Sequence, residues 1–131
     1  MEHSRRIELS AHVRAFLYSC IDSVEQMDVL LLLRASGTGW SARGVADELG
    51  LPDARARAWL DALAARGLAH ATVRDEVTYT FRPASETLGQ YCDELAAVIE
   101  SSRAAVVRFV AELPPPALRS FANAFKLRDT E

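Results

Sequence analysis

The stretch VADELGLPDARARAWLDALAARGLA, residues 45–69, joins two helical patterns across a short break at residues 50–52. Before the break, Val45, Ala46 and Leu49 recur at the spacing of one helix face, which predicts a short amphipathic helix. Ser41 stands just before this helix and is suited to cap its first turn. A short helix followed by a glycine-containing turn predicts the first half of a helix-turn-helix.

The second helix follows the turn directly. Pro52 or Asp53 begins it, because a fixed φ and a negative charge both suit the first turn of a helix. Its buried stripe consists of Trp59, Leu60, Leu63 and Ala64, and Gly67 ends it.

Two short strands come next. Residues 68–73 and 77–82 are joined by a polar tripeptide, and Val77, Tyr79 and Phe81 alternate with polar residues in the second segment. A period of two indicates a half-buried strand, so the pair predicts a β-hairpin that ends before Pro83.

Two helices precede the break. Apolar residues recur at three- and four-residue steps over 7–21, and Ser23 with Gln26 resembles a capping box that opens a second helix. That second helix contains four consecutive leucines and is expected to lie at the centre of the core. Trp40 lies on the connection to the next helix.

With this order of elements the chain resembles bacterial winged helix-turn-helix transcriptional regulators, most nearly the MarR-like group, over residues 24–83. The resemblance implies a mainly α fold with a two-stranded β-wing. It also implies that the helix at about 53–66 enters the DNA major groove while the wing follows the backbone or minor groove. The chain is expected to act as a DNA-binding transcriptional regulator on double-stranded DNA.

The candidate DNA contacts are polar or small residues on the expected outer face. Arginines there bond guanine edges or phosphates, and small alanines allow close approach to the bases. They are Ser41, Arg43, Ala54, Arg55, Arg57, Ala58, Arg74 and Arg82.

The charge balance supports a second interpretation. The chain has a formal net charge of −3 and a pI near 5.6, so any attraction to DNA is local. Arginines and acids are equally frequent over residues 41–83, and i,i+4 pairs such as Arg57–Asp61 are typical of a solvated helix face. The alternative is a protein-interaction module that keeps the fold without binding DNA.

Ser85 is suited to cap a long helix, and a heptad pattern of apolar residues follows it to about residue 113. We treat 1–131 as one domain whose extensions, 1–23 and 84–131, form a homodimer interface. The alternative is a helix packed wholly against the chain's own N-terminal helices. The expected interface residues are Leu88, Cys92, Leu95, Ile99, Val106, Phe109, Leu113, Phe121 and Phe125.

The resemblance also implies a small aromatic effector bound between the DNA-binding lobe and the dimer helices. Phe16, Tyr18, Trp40, Tyr91 and Phe109 are candidates to line its pocket, and they serve equally well as core.

No nucleotide-binding loop, metal-ligand cluster or nucleophile motif occurs in the sequence, so no enzyme, metal or cofactor is expected. Cys20 and Cys92 are expected to pack as small hydrophobes. The sequence starts without the apolar region of a signal peptide, and a cytoplasmic protein without membrane association is expected.

Overall fold

The computed structural model describes residues 9–119, in which five helices and one hairpin are followed by a helical turn at residues 116–119. The elements in chain order are α1 (Ala11–Cys20), α2 (Val24–Ser36), α3 (Ala42–Leu49), α4 (Asp53–Ala65), β1 (Ala69–Val73), β2 (Val77–Phe81) and α5 (Glu86–Ala111). This confirms the mainly α class with a two-stranded wing.

Four helices begin at a serine cap. The hydroxyl oxygens of Ser10, Ser23, Ser41 and Ser85 each accept a hydrogen bond from the backbone N–H three residues later, at 3.0–3.1 Å. The caps predicted at positions 23, 41 and 85 are therefore confirmed. The side chain of Gln26 differs from a full capping box, because its Oε1 accepts from the backbone N–H of Asp22.

The turn between α3 and α4 depends on Gly50. This residue has φ of 71°, a left-handed conformation that glycine adopts without steric cost. The N–H of Leu51 then donates to the carbonyl of Ala46 at 2.9 Å, which satisfies the end of α3. Pro52 precedes the first residue of α4, as its fixed φ favours.

The hairpin pairs β1 with β2 in antiparallel register, from Ala69 opposite Phe81 to Val73 opposite Val77. Trp40 adds a one-residue third strand: its N–H donates to the Tyr79 carbonyl at 2.9 Å and its carbonyl accepts from the Tyr79 N–H at 2.8 Å. The connection before α3 is thereby fixed to the wing, which the sequence pattern did not predict.

The core is built around α2, as predicted. Met27, Val29, Leu30 and Leu33 of that helix are fully buried. α1 and α5 pack against each other on one side of the molecule, and α4 with the wing lies on the other. α2 contacts both α4 and α5, so it connects the two parts.

α5 differs from the uninterrupted helix that the heptad pattern predicts. Its 26 residues contain one non-helical position, Ser102, with φ of −159° and ψ of 70°. The preceding Ser101 donates its hydroxyl to the carbonyls of Ala97 and Val98, at 3.4 and 3.2 Å. Serine pairs of this kind are common at helix kinks, and the apolar face therefore changes direction at the kink.

Some predictions fall outside the described residues. Residues 1–8 and 120–131 are not described, so the expected helix start near Ile7 and the interface residues Phe121 and Phe125 stay predictions. Within the described part, α1 begins at Ala11.

Candidate nucleic-acid interface

An open cleft of about 450 Å³ lies between the first turns of α3 and α4 and the hairpin. α3 and its cap contribute Ser41 and Arg43, and α4 contributes Ala54 and Arg57. Tyr79 of β2 also lines the cleft. Four of the eight predicted DNA contacts are thus brought together at one site.

α4 presents two opposite faces. Ala56, Leu60 and Leu63 are fully buried, whereas Ala54, Arg57, Ala58 and Asp61 are exposed. Their spacing places the exposed residues on the side of the helix that faces away from the core. The small side chains at 54 and 58 leave the backbone of this face accessible.

Tyr79 connects the wing to α4. Its hydroxyl donates a 2.6 Å hydrogen bond to Oδ1 of Asp61. Burial of the ring, and then this hydrogen bond, raise the pKa of Tyr79 to about 12, so the phenol is neutral and remains the donor. Among residues 9–119, Asp61 makes no ion pair with Arg57, in contrast to the i,i+4 pair considered from the sequence. The sequence pattern predicts Tyr79 only as one of the alternating apolar residues of a half-buried strand.

Arg55 has a different position from the one predicted. Its Nε lies 3.0 Å from Oε1 of Glu25 on α2, and Trp59 donates its indole N–H to the same oxygen at 3.0 Å. Residues 55 and 59 are four apart and share a flank of α4. The structure therefore directs Arg55 towards α2 and away from the cleft. The reason is a carboxylate 30 positions earlier in the chain, which helix periodicity does not reveal.

The wing arginines lie at opposite ends of the hairpin. Arg74 is exposed in the turn, where its N–H donates to the Glu76 carbonyl at 3.2 Å. Arg82 follows β2, and its N–H donates to the Leu68 carbonyl at the base of the hairpin. Val73 beside the turn is 73% exposed, which the sequence pattern does not predict. Only Arg74 stands at the tip.

Sequence comparisons find no match: no protein-family model and no curated protein matches this chain. Structure comparisons do. A MarR-family transcriptional regulator from Rhodococcus sp. RHA1 superposes with a TM-score of 0.54 at 20% identity, over 88% of this chain and 79% of that one. CouR from Rhodococcus jostii RHA1, solved with p-coumaroyl-CoA bound, gives 0.53 at 23% identity, over 91% and 77%.

A third match is the homodimeric winged helix-turn-helix DNA-binding domain of a possible ArsR-family regulator from Mycobacterium bovis. Its TM-score is 0.53 at 19% identity, over 74% of this chain and 93% of that one. This chain has the winged helix-turn-helix fold. At these identities the likeness extends to the fold, which is the one the sequence predicted.

In this winged-helix chain the expected dimer face is divided between core and surface. Cys92, Leu95 and Val106 are at most 1% exposed, because α5 packs them against the chain's own helices. In the single chain these three side chains present no surface to a partner, so an interface on α5 depends on the other members of the predicted set. The half-buried members of the predicted set are Leu88, Ile99, Phe109 and Leu113.

The aromatic residues considered for an effector do not form one group. Tyr91 of α5 lies 6.1 Å from the Phe16 ring and 5.6 Å from the His12 ring, between ring centroids. Trp40, by contrast, pairs with the wing, and its indole N–H donates to Ser36 Oγ at 2.7 Å. Tyr18 lies under the guanidinium of Arg119, 5.8 Å from the ring centroid.

Both thiols are buried or half-buried. Burial raises the pKa of Cys92 to about 12 and raises the pKa of Cys20 above its ordinary value. Neither is a thiolate at neutral pH, which is typical of cysteines that pack as small hydrophobes. Within residues 9–119 no three metal-binding side chains cluster, and no helix of that part is long and apolar enough to cross a membrane.

Proposed function

We propose that this chain is a DNA-binding transcriptional regulator that acts as a homodimer, with α4 in the major groove of double-stranded DNA. Ala54, Arg57 and Ala58 form the face that meets the bases, and Arg43 contacts a phosphate beside the first turn of α3. Arg74 at the wing tip reaches the backbone or minor groove. The role implies a cytoplasmic location.

The observation that supports this proposal is how the arginines are paired. Five ion pairs join arginines to carboxylates among residues 9–119, at 2.8–3.4 Å. None of them involves Arg43, Arg57 or Arg74, which stand exposed around the open cleft and the wing tip. Unpaired guanidinium groups beside an open concave surface are suited to bind an anionic polymer.

The test measures duplex affinity as a function of salt concentration. We expect Arg57→Gln to weaken binding by about 10-fold or more, and Arg43→Gln to reduce the salt dependence by about one phosphate contact. Arg55→Gln is the matched control, because it removes the same charge from the same helix on the flank that faces Glu25. We expect it to leave affinity unchanged.

Two results would contradict the proposal. One is no binding of random or genomic duplex at low salt by the wild-type chain. The other is an equal loss of affinity in Arg55→Gln and Arg57→Gln, which would mean that the cleft is not the contact surface.

The homodimer part of the proposal depends on the half-buried apolar residues Leu88, Ile99, Phe109 and Leu113. An exposed apolar face costs about 25 cal/mol per Å², which favours pairing between two copies. The homodimeric winged helix-turn-helix domain from Mycobacterium bovis supports the same arrangement. A two-fold pair would present two α4 helices to successive turns of a palindromic site.

Sedimentation velocity at micromolar concentration tests the dimer. We expect the wild-type chain to sediment as a dimer, and Ile99→Asp or Phe109→Asp to sediment as a folded monomer. Leu95→Asp is unsuitable, because Leu95 is buried in the chain's own core. A monomeric wild-type chain would contradict the dimer and weaken the proposal of palindromic binding.

A protein-interaction module is the second candidate. It is favoured by the acids around the cleft, Asp53 and Glu76, and by the exposed Val73 on the wing. If the folded wild-type chain binds no duplex even at low salt, that result favours this candidate.

A small aromatic effector is a further part of the proposal. Tyr91, half-buried where α1 meets α5 and close to the rings of His12 and the buried Phe16, is the aromatic side chain on which this part of the proposal rests. CouR, a structural neighbour, was solved with p-coumaroyl-CoA bound. A thermal-shift screen with aromatic acids and their thioesters is the test, and we expect a rise in melting temperature that Tyr91→Ala reduces. No shift with any compound would contradict it.

A further inference from the structure

A charged cluster outside the cleft joins α4 to the end of the described chain. Asp22, in the loop between α1 and α2, accepts from two guanidinium groups. Arg66 Nη2 lies 3.1 Å from Oδ2, and Arg119 Nη2 lies 3.4 Å from Oδ1. We refer to Asp22, Arg66 and Arg119 as the Asp22 cluster. The side chains of Asp22 and Arg119 are 17% and 4% exposed, so both charges are largely removed from water.

Arg119 also binds the end of α1. Its Nη1 donates to the carbonyls of Tyr18 at 2.8 Å and Ile21 at 2.7 Å, and its Nε donates to the Pro114 carbonyl at 2.9 Å. Carbonyls at a helix C-terminus lack partners within the helix and carry partial negative charge. A single guanidinium therefore satisfies α1 and Asp22 together, and ties them to the segment after α5.

Arg66 holds the other side of the cluster. It is the C-terminal cap of α4, and its Nη1 donates to the Cys20 carbonyl at 2.6 Å while Nη2 meets Asp22. The backbone N–H of Asp22 is fixed in turn by the buried Gln26. The end of α4 is thus attached to a loop whose carboxylate is oriented by Arg119.

We propose that Arg119 is a positioning residue for α4: acting through Asp22 and Arg66, it fixes the C-terminal end of this helix against α1. The inference deepens the proposed function and rests on it for its DNA readout. A buried carboxylate that loses one of two cationic partners must move or take up water, because burial of an uncompensated charge is unfavourable. Coupling free energies are reciprocal. If anchoring of the segment after α5 favours DNA binding by α4, then bound DNA also favours the anchored segment.

The first test is a double-mutant cycle on duplex affinity with the full chain. We expect Arg119→Gln and Arg66→Gln each to weaken binding by about 10-fold. We expect the double variant to lose clearly less than the product of about 100-fold, because both changes break one connection. Losses that multiply would overturn the inference.

Arg103→Gln is the matched control. Arg103 of α5 also makes a two-bond ion pair, with Asp28 of α2 at 2.9 and 3.0 Å, and this pair does not touch α4. We expect Arg103→Gln to leave duplex affinity unchanged. An affinity loss equal to that of Arg119→Gln would reduce Arg119 to a general contribution to folding.

The second test needs no DNA. Amide hydrogen exchange should accelerate by about 10-fold or more at residues 62–66 in Arg119→Gln, while β1 and β2 keep their protection. Uniform acceleration, or none, would overturn the inference. Asp22→Asn removes the shared charge at nearly constant size and carries the same test if Arg119→Gln does not fold. If the wild-type chain binds no duplex, the proposed function fails, and the exchange pattern still decides whether the cluster positions α4.

Discussion

The contacts between helices and the cleft of this molecule use arginine in different ways. In the part built from α1, α2 and α5, Arg34 pairs with Asp93 at 2.8 Å and Arg103 pairs with Asp28 at 2.9 Å. In the winged part, which consists of α3, α4 and the hairpin, Arg43 and Arg57 border an open cleft and make no ion pair among residues 9–119. The first set joins helices to each other, and the second set remains available to a partner.

This difference explains why the total charge is a poor guide here. A net charge of −3 and a balanced winged region both argue against DNA binding. These totals do not say where the charges lie: Arg43 and Arg57 border the cleft, whereas Arg55 pairs with Glu25 on the flank that faces α2. Attraction of a DNA backbone depends on the local distribution of charge around the cleft.

The largest expected effect contrasts the inner and outer sides of α5. Leu95→Ala should lower the free energy of unfolding by about 3 kcal/mol, because the residue is fully buried and its removal leaves a cavity. Ile99→Ala, at a half-buried position four residues later, should cost about 1 kcal/mol. Urea denaturation of both variants at a protein concentration low enough to keep the chain monomeric checks this. Equal costs would mean that the two sides of α5 are buried alike.

The next largest effect is the difference in stability cost between alanine substitutions at two glycines of the winged part. Gly67 has φ of +78°, and a Cβ there would stand 3.0 Å from the Ala84 Cβ, whereas Gly50 has φ of +71° with open space around it. Gly50→Ala should cost about 1 kcal/mol of stability from backbone strain alone, and Gly67→Ala about 2 kcal/mol because it adds a steric contact. Thermal denaturation distinguishes them. A larger cost at Gly50 would contradict the close approach at residue 67.

A smaller effect separates the roles of paired and unpaired arginines. Arg103→Gln should lower the free energy of unfolding by about 0.5 kcal/mol, since the pair with Asp28 is partly exposed and screened by solvent. Arg57→Gln should leave stability unchanged while it weakens duplex binding. Chemical denaturation and anisotropy titrations on the same preparations check both. The contrast fails if Arg57→Gln destabilises the fold more than Arg103→Gln does.

The last effect is absent at neutral pH and develops in alkali. Burial raises the pKa of Cys92 from 9.0 to about 12, so an unfolded chain loses this proton before the folded one does. Stability from the neutral thiol is therefore complete below pH 9 and is lost as pH rises towards 12. Unfolding measured between pH 7 and 10.5 should show a shallower decline above pH 9 in Cys92→Ala than in the wild-type chain. Parallel curves would contradict the raised pKa.

Local signals explain why the fold could be predicted. Ser23, Ser41 and Ser85 cap helices through hydrogen bonds to residues three positions away, and Gly50 sets a turn within four residues. Both partners of such an interaction lie within a few residues of each other, so sequence patterns predict these interactions well.

The site was predicted less completely, because its decisive partners are distant in sequence. Periodicity placed Arg55 on an exposed part of α4, but its pairing depends on Glu25 of another helix. The buried position of Arg119 depends on carbonyls about 100 residues earlier, and an arginine near a chain end resembles a solvated one. The kink at Ser102 replaced an uninterrupted heptad, since heptad counting assumes constant helical geometry.

The hydrogen bond from Tyr79 to Asp61 has a consequence for redesign. It attaches the wing to α4 through one side of that helix, and the opposite side packs Ala56, Leu60 and Leu63. Positions 54, 57 and 58 take part in neither attachment. The proposed operator preference should therefore be reprogrammable by a library restricted to these three codons, which leaves both attachments of α4 in place.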